Sequence, residues 1–259
     1  MKTVIKSIFF IIAMTFSSVA CAAEEPESPV VPPHIVLMVS DDHYQADTLL
    51  PPLMEELARK NRWRLTVLNG KGKADFPDLM TLESVDTLVI FVRRLPLPEK
   101  QLESLKKLID SGTNVFGMRT ASHAFELRGE APEGHKNWTE FDKEVLGGSY
   151  HNHGRDELGT QVENLETMAE SGILRGVLPV KWHSTGSLYF TDPVAPNATI
   201  YQIGHSPEKQ NIPLTWTRIH KKSRVAYTGL GHPDDYKEQA FRQLVENLIR
   251  WTLDGKDAK

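Results

Sequence analysis

Cysteine is almost missing: Cys21 is the single one in 259 residues. With no second thiol the chain can form no internal disulfide. Nothing beyond position 21 can act as a thiolate metal ligand or a cysteine nucleophile. Long apolar runs are equally scarce. After the N-terminus none approaches the ~20 residues of a membrane-spanning helix. Lysine and arginine (30) do not outnumber aspartate and glutamate (34) and form no basic block. Neither nucleic acid nor an anionic membrane is therefore an expected partner. The HExxH signature of zinc hydrolases is absent, and no internal repeat is visible.

What is present begins with a leader. Lys2 and Lys6 form a basic start, Ile8 to Phe16 an apolar stretch of about nine residues, and Ser18, Ala20, Ala22 and Ala23 follow as small residues. This order reads as a secretory signal over residues 1–23, cut after Ala20, Ala22 or Ala23, and predicts a periplasmic or extracellular protein. Cys21 stands where a lipoprotein cysteine would, but Ser18-Val19-Ala20 lacks the branched aliphatic residue usual before such a cysteine. Residues 24–33 (EEPESPVVPP) read as an acidic, Pro-rich linker. Loss of Lys2 and Lys6 with the leader takes the formal net charge from −4 to −6. About 225 residues remain from His34 to Lys259, enough for one large core.

That remainder alternates strand and helix. HIVLMV (34–39) and TLVIFV (87–92) are continuous apolar runs, as expected of strands covered on both faces. Trp63 to Leu68 and NVFGM (114–118) complete four strands. The helices between them have Leu49, Leu53 and Leu57, then Leu102, Leu105, Leu108 and Ile109, at helical spacing. The second opens at Pro98 and stops at Gly112. Residues from about 126 to 211 read as an elaborated insertion with small strands at Ser187–Phe190 and Ala198–Ile203. Pro213–Ile219 and Arg224–Tyr227 return as strands, and a closing helix is predicted over Asp234–Leu253. The fold class is α/β: an open, mostly parallel, flavodoxin-like sheet with helices on both faces.

Open parallel sheets place their sites beyond the C-terminal ends of the strands. Here those ends carry Asp41, Asp42, His43 and Tyr44; then Arg93 and Arg94; then Arg119, Thr120, Ser122 and His123; and finally His232, Asp234 and Asp235. Four strand ends bearing histidine, arginine or carboxylate would converge on one crevice. Gly117 to Ser122 runs from strand straight into helix, the sharp turn that elsewhere exposes a nucleophile. Its exposed position is Arg119, which cannot attack but can hold a carboxylate, phosphate or polarised oxygen; pairing with Asp41 or Asp42 is the structural alternative. His232, with Asp234 two residues on, has the make-up of an acid/base pair, or of a capped helix start. His151 and His153, at i, i+2, face one side of an extended segment. With a further histidine they would hold a divalent transition metal, or else hydrogen-bond sugar hydroxyls or loop backbone.

At these residues the sequence resembles the ThuA-like (trehalose-utilisation) family of the class I glutamine amidotransferase-like superfamily. The carriers are VSDDHY (39–44), Arg93-Arg94 after LVIFV, GMRTASHAF (117–125) and W-x-x-FD-x-EVLGG-x-Y-x-x-H (138–153). They continue through ILRGV (173–177), GSLY (186–189), PLTWTR (213–218) and YTGLGHPDDY (227–236). The resemblance implies a flavodoxin-like sandwich and a link to sugar metabolism, often disaccharides or their keto derivatives. The wider superfamily has a catalytic cysteine at the elbow and His-Pro-Glu after the last strand; this chain has Arg119 and His232-Pro233-Asp234. Amidotransferase chemistry is therefore not expected.

The expectation is an exported enzyme acting on a small carbohydrate or ketosugar by proton transfer, as an isomerase or lyase. His232, oriented by Asp234, would move the proton, with His43 or Asp42 as a second acid/base group, and Arg93 and Arg119 would polarise a carbonyl. Asp41, Asp42, Tyr44, Arg93, Arg94, Thr120, His123 and His153 would contact substrate. Tyr44, Trp138, Tyr150 and Trp182 would stack on sugar faces. The alternatives are a non-catalytic sugar-binding or interaction module, and a metal-dependent hydrolase using His151 and His153. Oligomeric state is left open.

Overall fold

The computed structural model describes residues 31–70 and 75–254; the leader and most of the linker read from the sequence lie outside these. Two apolar runs become the centre of a sheet. β1 (His34–Ser40) and β3 (Thr87–Val92) lie side by side in parallel register, Ile35 opposite Thr87. Every residue of β3 is buried, and in β1 only Ser40 is partly exposed. β2 (Arg64–Asn69) flanks β1, and β4 (Asn114–Met118) flanks β3. α1 (Ala46–Asn61) links β1 to β2, and α2 (Glu99–Ser111) links β3 to β4.

The remaining strands of this sheet are β5 (Thr160–Asn164), β6 (Lys181–Ser184), β7 (Thr199–His205), β8 (Ile212–His220) and β9 (Ser223–Thr228). The nine form one sheet in the order β2-β1-β3-β4-β9-β8-β7-β5-β6. The first five are parallel, in the flavodoxin order with β9 as the fifth strand; the rest are antiparallel. The flavodoxin-like α/β class expected from the sequence holds, and the insertion widens the same sheet rather than forming a separate layer.

Alternate residues of the parallel strands feed two cores. Ile35, Leu37 and Val39 pack with Leu50, Leu53 and Leu57 of α1 and with the closing helix α3 (Gln239–Asp254). Val36 and Met38 face Leu102, Leu105 and Ile109 of α2. Phe241, Leu244, Val245, Leu248 and Ile249 of α3 are wholly buried, each stabilising by about 2 kcal/mol relative to exposure.

Three boundaries differ from expectation. The closing helix starts at Gln239 rather than Asp234, because residues 235–237 form a separate 3₁₀ turn and Glu238 is extended. The strand expected over Ser187–Phe190 shrinks to Tyr189–Phe190, paired with Asn152–His153. β5 and β6, which the sequence did not suggest, carry the sheet to its far edge.

Candidate functional site

The strand order reverses between β1 and β3, so their C-terminal exits flank a crevice. Asp41 shapes the first exit. Its carboxylate accepts the backbone N–H groups of His43 (2.9 Å) and Tyr44 (3.2 Å). Asp41 is buried, and burial raises its pKa despite those bonds. It therefore holds the loop, while Asp42 and His43 stand exposed at the rim. Tyr44 turns inward, with the edge of the His43 ring at 4.6 Å.

The second exit is tied to the third. Arg94 N–H donates to His123 O (3.1 Å) and Leu95 N–H to Ala124 O (2.7 Å), which brings Arg93 and Arg94 against the turn that follows β4. In that turn Arg119 has φ +42°, the left-handed conformation of a nucleophile elbow. Its guanidinium is buried, however, with 1% of the residue exposed. It lies between the rings of Tyr44 (4.2 Å) and Tyr189 (4.5 Å) and donates to Gly229 O (2.9 Å) and Ser187 O (3.4 Å). No ion pair joins it to Asp41 or Asp42 among the described residues. Tyr189 donates to the Tyr44 hydroxyl at 3.2 Å, and Tyr227 to Arg119 O at 2.9 Å. Thr120 is fully buried and its hydroxyl has no partner among the described residues.

His123 is also buried, stacked on Tyr150 at 4.7 Å with its Nδ1 3.1 Å from Ser122 Oγ. Burial, and then the charges of Arg94, Arg93, Arg119 and Arg128, push its pKa down to about 3. It is a neutral ring at any pH near 7.

The fourth exit carries the best-defined acid/base geometry. Asp235, 1% exposed, accepts the backbone N–H groups of Gly231 (2.8 Å) and His232 (2.9 Å) and the hydroxyl of Ser184 (2.6 Å). That carboxylate fixes the turn from which His232 projects. His232 Nδ1 lies 2.8 Å from Thr185 Oγ1, which itself donates to Asp234 Oδ2 at 3.0 Å. The backbone N–H of Asp234 also approaches Nδ1 (3.4 Å), so both contacts of the ring fall on Nδ1, and Nε2 has no hydrogen-bond partner among the described residues. Burial and then the Arg119 charge lower the pKa of His232, outweighing Asp235 and Asp234. Tyr44 is its aromatic neighbour at 6.1 Å.

The chain matches the family model described as "ThuA: Trehalose utilisation" over residues 36–252. The chain belongs to the ThuA family. No curated protein matches it in sequence. A ThuA-like protein from Bacteroides uniformis superposes with a TM-score of 0.65 at 14% identity, covering 91% of this chain and 98% of the other. One from Parabacteroides merdae gives 0.64 at 17% identity, with 88% and 92% covered. A β-galactosidase from Rahnella sp. R3 gives 0.54 at 11% identity; 85% of this chain lies over 31% of that one. At these identities the likeness is one of fold.

In this ThuA chain Arg119, sandwiched by Tyr44 and Tyr189, stands between the two histidines: Tyr44 neighbours His232 at 6.1 Å, and Tyr189 neighbours His123 at 5.9 Å. Tyr150 stacks on His123, whereas Trp138 packs on Phe125 and Phe141, and Trp182 lies in the core. His151 and His153 are exposed and hydrogen-bond the carbonyls of Ser149 (3.0 Å) and Gly154 (2.8 Å). Among the described residues no group of three or more His, Cys, Asp or Glu is placed to share a metal ion. Thr185, Tyr189 and the capping role of Asp235 were not read from the sequence. Of these only Tyr189 carried a signal, as the last residue of the GSLY motif.

Proposed function

We propose that this ThuA protein is an exported enzyme that moves a proton beside the carbonyl of a small sugar or ketosugar, as an isomerase or lyase does. The observation that carries this reading is the anchoring of His232 through Nδ1 by Thr185 and Asp234, which leaves Nε2 without a partner among the described residues; in the tautomer with the proton on Nδ1, Nε2 is the base. Nε2 would take the proton from the carbon next to the carbonyl, and the negative charge would pass to the carbonyl oxygen. Arg93 is the cation suited to that oxygen. It is half-buried, and its guanidinium makes no hydrogen bond or ion pair among the described residues. Arg119 cannot reach substrate from its buried position, so its part is to hold Tyr44 and Tyr189 in place. Export rests on residues 1–23 alone.

The test needs no knowledge of the product. Keto derivatives of glucose and of disaccharides are incubated with the protein in D₂O and followed by proton NMR. The expected outcome is loss of the C–H signal beside the carbonyl, slowed roughly 10²–10⁴-fold by His232→Ala with the fold intact. Exchange that survives in His232→Ala removes this residue from the mechanism. A non-catalytic sugar-binding module is the second reading, favoured by one observation: buried Arg119 fills the elbow where a nucleophile would stand. It predicts saturation transfer to a sugar with no exchange at all.

A further inference from the structure

The arginines around His123 are short of partners. Arg93 and Arg94 leave β3 together, and Arg128 follows the elbow turn. Each guanidinium carries five N–H donors and a permanent charge. Among the described residues the three make one side-chain hydrogen bond, Arg94 Nη1 to Glu126 O at 3.4 Å, and no ion pair. Backbone bonds from Arg94 and Leu95 to the elbow turn hold the first two there, while Arg128 is exposed on the segment whose Leu127 N–H donates to Asn137 Oδ1 at 3.0 Å. Arg94 itself sits at φ +52°. Burial, and then the neighbouring Arg128 and Arg93, disfavour the Arg94 charge, and an incoming anion would relieve that cost.

Arg94 and Arg128 line a hollow of about 420 Å³ with Ser122, His123 and Tyr150. Its other charged residues are Glu126, Glu140, Asp142 and Lys143, and none of the three acids makes an ion pair among the described residues. Asp142 is buried, and burial pushes its pKa up to about 7, so it repels an anion weakly. His123 is buried and stacked against Tyr150, 28° from coplanar, so the partly exposed Tyr150 ring is the aromatic wall of the hollow beside the cations. A wall of that kind suits the face of a sugar ring; the cations suit an oxyanion attached to it.

We propose that the substrate taken up in this hollow is an acidic sugar, whose oxyanion (carboxylate or phosphate) is held between Arg94 and Arg128 while its ring lies against Tyr150. The inference rests on the carbohydrate reading above and narrows it to charged members of that class.

The test is calorimetric titration of the protein at low salt with glucose, glucuronate, glucose 6-phosphate and inorganic phosphate. At least one of the two acidic sugars should bind about tenfold or more tighter than glucose, since charge-assisted Arg pairs are the strong kind. Glucuronate in the lead identifies a carboxylate. Glucose 6-phosphate in the lead, with inorganic phosphate competing, identifies a phosphate ester. Arg94→Gln with Arg128→Gln should abolish the preference, and Arg128→Gln alone, at an exposed position, should reduce it if the double variant fails to fold. Glucose binding as tightly as both acids overturns the inference but leaves the carbohydrate reading standing, and so does a preference that survives the substitutions. Arginine-dependent binding of inorganic phosphate with no sugar bound supports the anion site and overturns the carbohydrate reading.

Discussion

An arginine with 1% of its surface exposed must satisfy five donors and a full charge without water. Arg119 does so with two carbonyls and two tyrosine faces, although its Nε remains unpartnered. Only a flat, forked cation can lie between two rings and still reach Gly229 O and Ser187 O. Arg119→Lys is therefore expected to lose about 2–4 kcal/mol of stability, read by urea unfolding at constant m. A lysine variant as stable as the parent would show that the sandwich is incidental. The chemistry of this position was half legible. The sharp Gly117–Ser122 turn was visible in the sequence, and so was the absence of a nucleophile. That the side chain points down between Tyr44 and Tyr189 depends on Tyr189, which lies 70 positions away. His232 and Asp234 were read from a local pattern, whereas Thr185, which joins them, comes from the loop after β6 and has no local signature.

The same division between local and distant information holds for whole elements. The parallel strands β1 and β3 announce themselves because burial on both faces demands continuous apolar runs. β5 (TQVEN) and β6 (KWHS) are short, half-exposed and polar, so they pair as strands only because β7 offers an edge to β5. The closing helix was read five residues too early, since the carboxylate of Asp235 turns back to the Gly231 and His232 amides instead of starting the helix. That turn also depends on glycine. Gly231 has φ +123°, and a Cβ there would meet Phe91 Cε2 at 2.8 Å. Phe91 is wholly buried in β3 and cannot retreat. Gly231→Ala should cost roughly 1–3 kcal/mol from strain alone and tilt the turn that carries His232. The expected signature is a lower Tm together with a slower rate of the proton exchange proposed for His232. A variant with unchanged Tm and exchange rate would mean that the turn tolerates another conformation.

Across the molecule, two buried groups oppose each other in how stability depends on pH. His123 has a pKa of about 3 in the folded protein against an ordinary 6.5. Between those values the unfolded chain holds a proton there that the native state lacks, so stability from this group rises with pH. Asp142 has a folded pKa of about 7 against an ordinary 3.8. In its window the native state holds the extra proton, so stability from this group falls as pH rises. Each slope is at most about 1.4 kcal/mol per pH unit, and from about pH 4 to 6.5 the two nearly cancel. Asp142→Asn removes one side of the balance while its amide oxygen can still accept the Tyr150 N–H, bonded at 2.7 Å in the parent. Relative to the parent, the variant should gain stability with pH by about 1 kcal/mol per unit between pH 4.5 and 6, measured by urea unfolding across that range. Parallel stability curves for parent and variant would mean that Asp142 is already ionised in the native state. It would then repel an anion in the neighbouring hollow at full strength, and Arg94, Arg128 and Lys143 would face three ionised carboxylates with no formal surplus of positive charge.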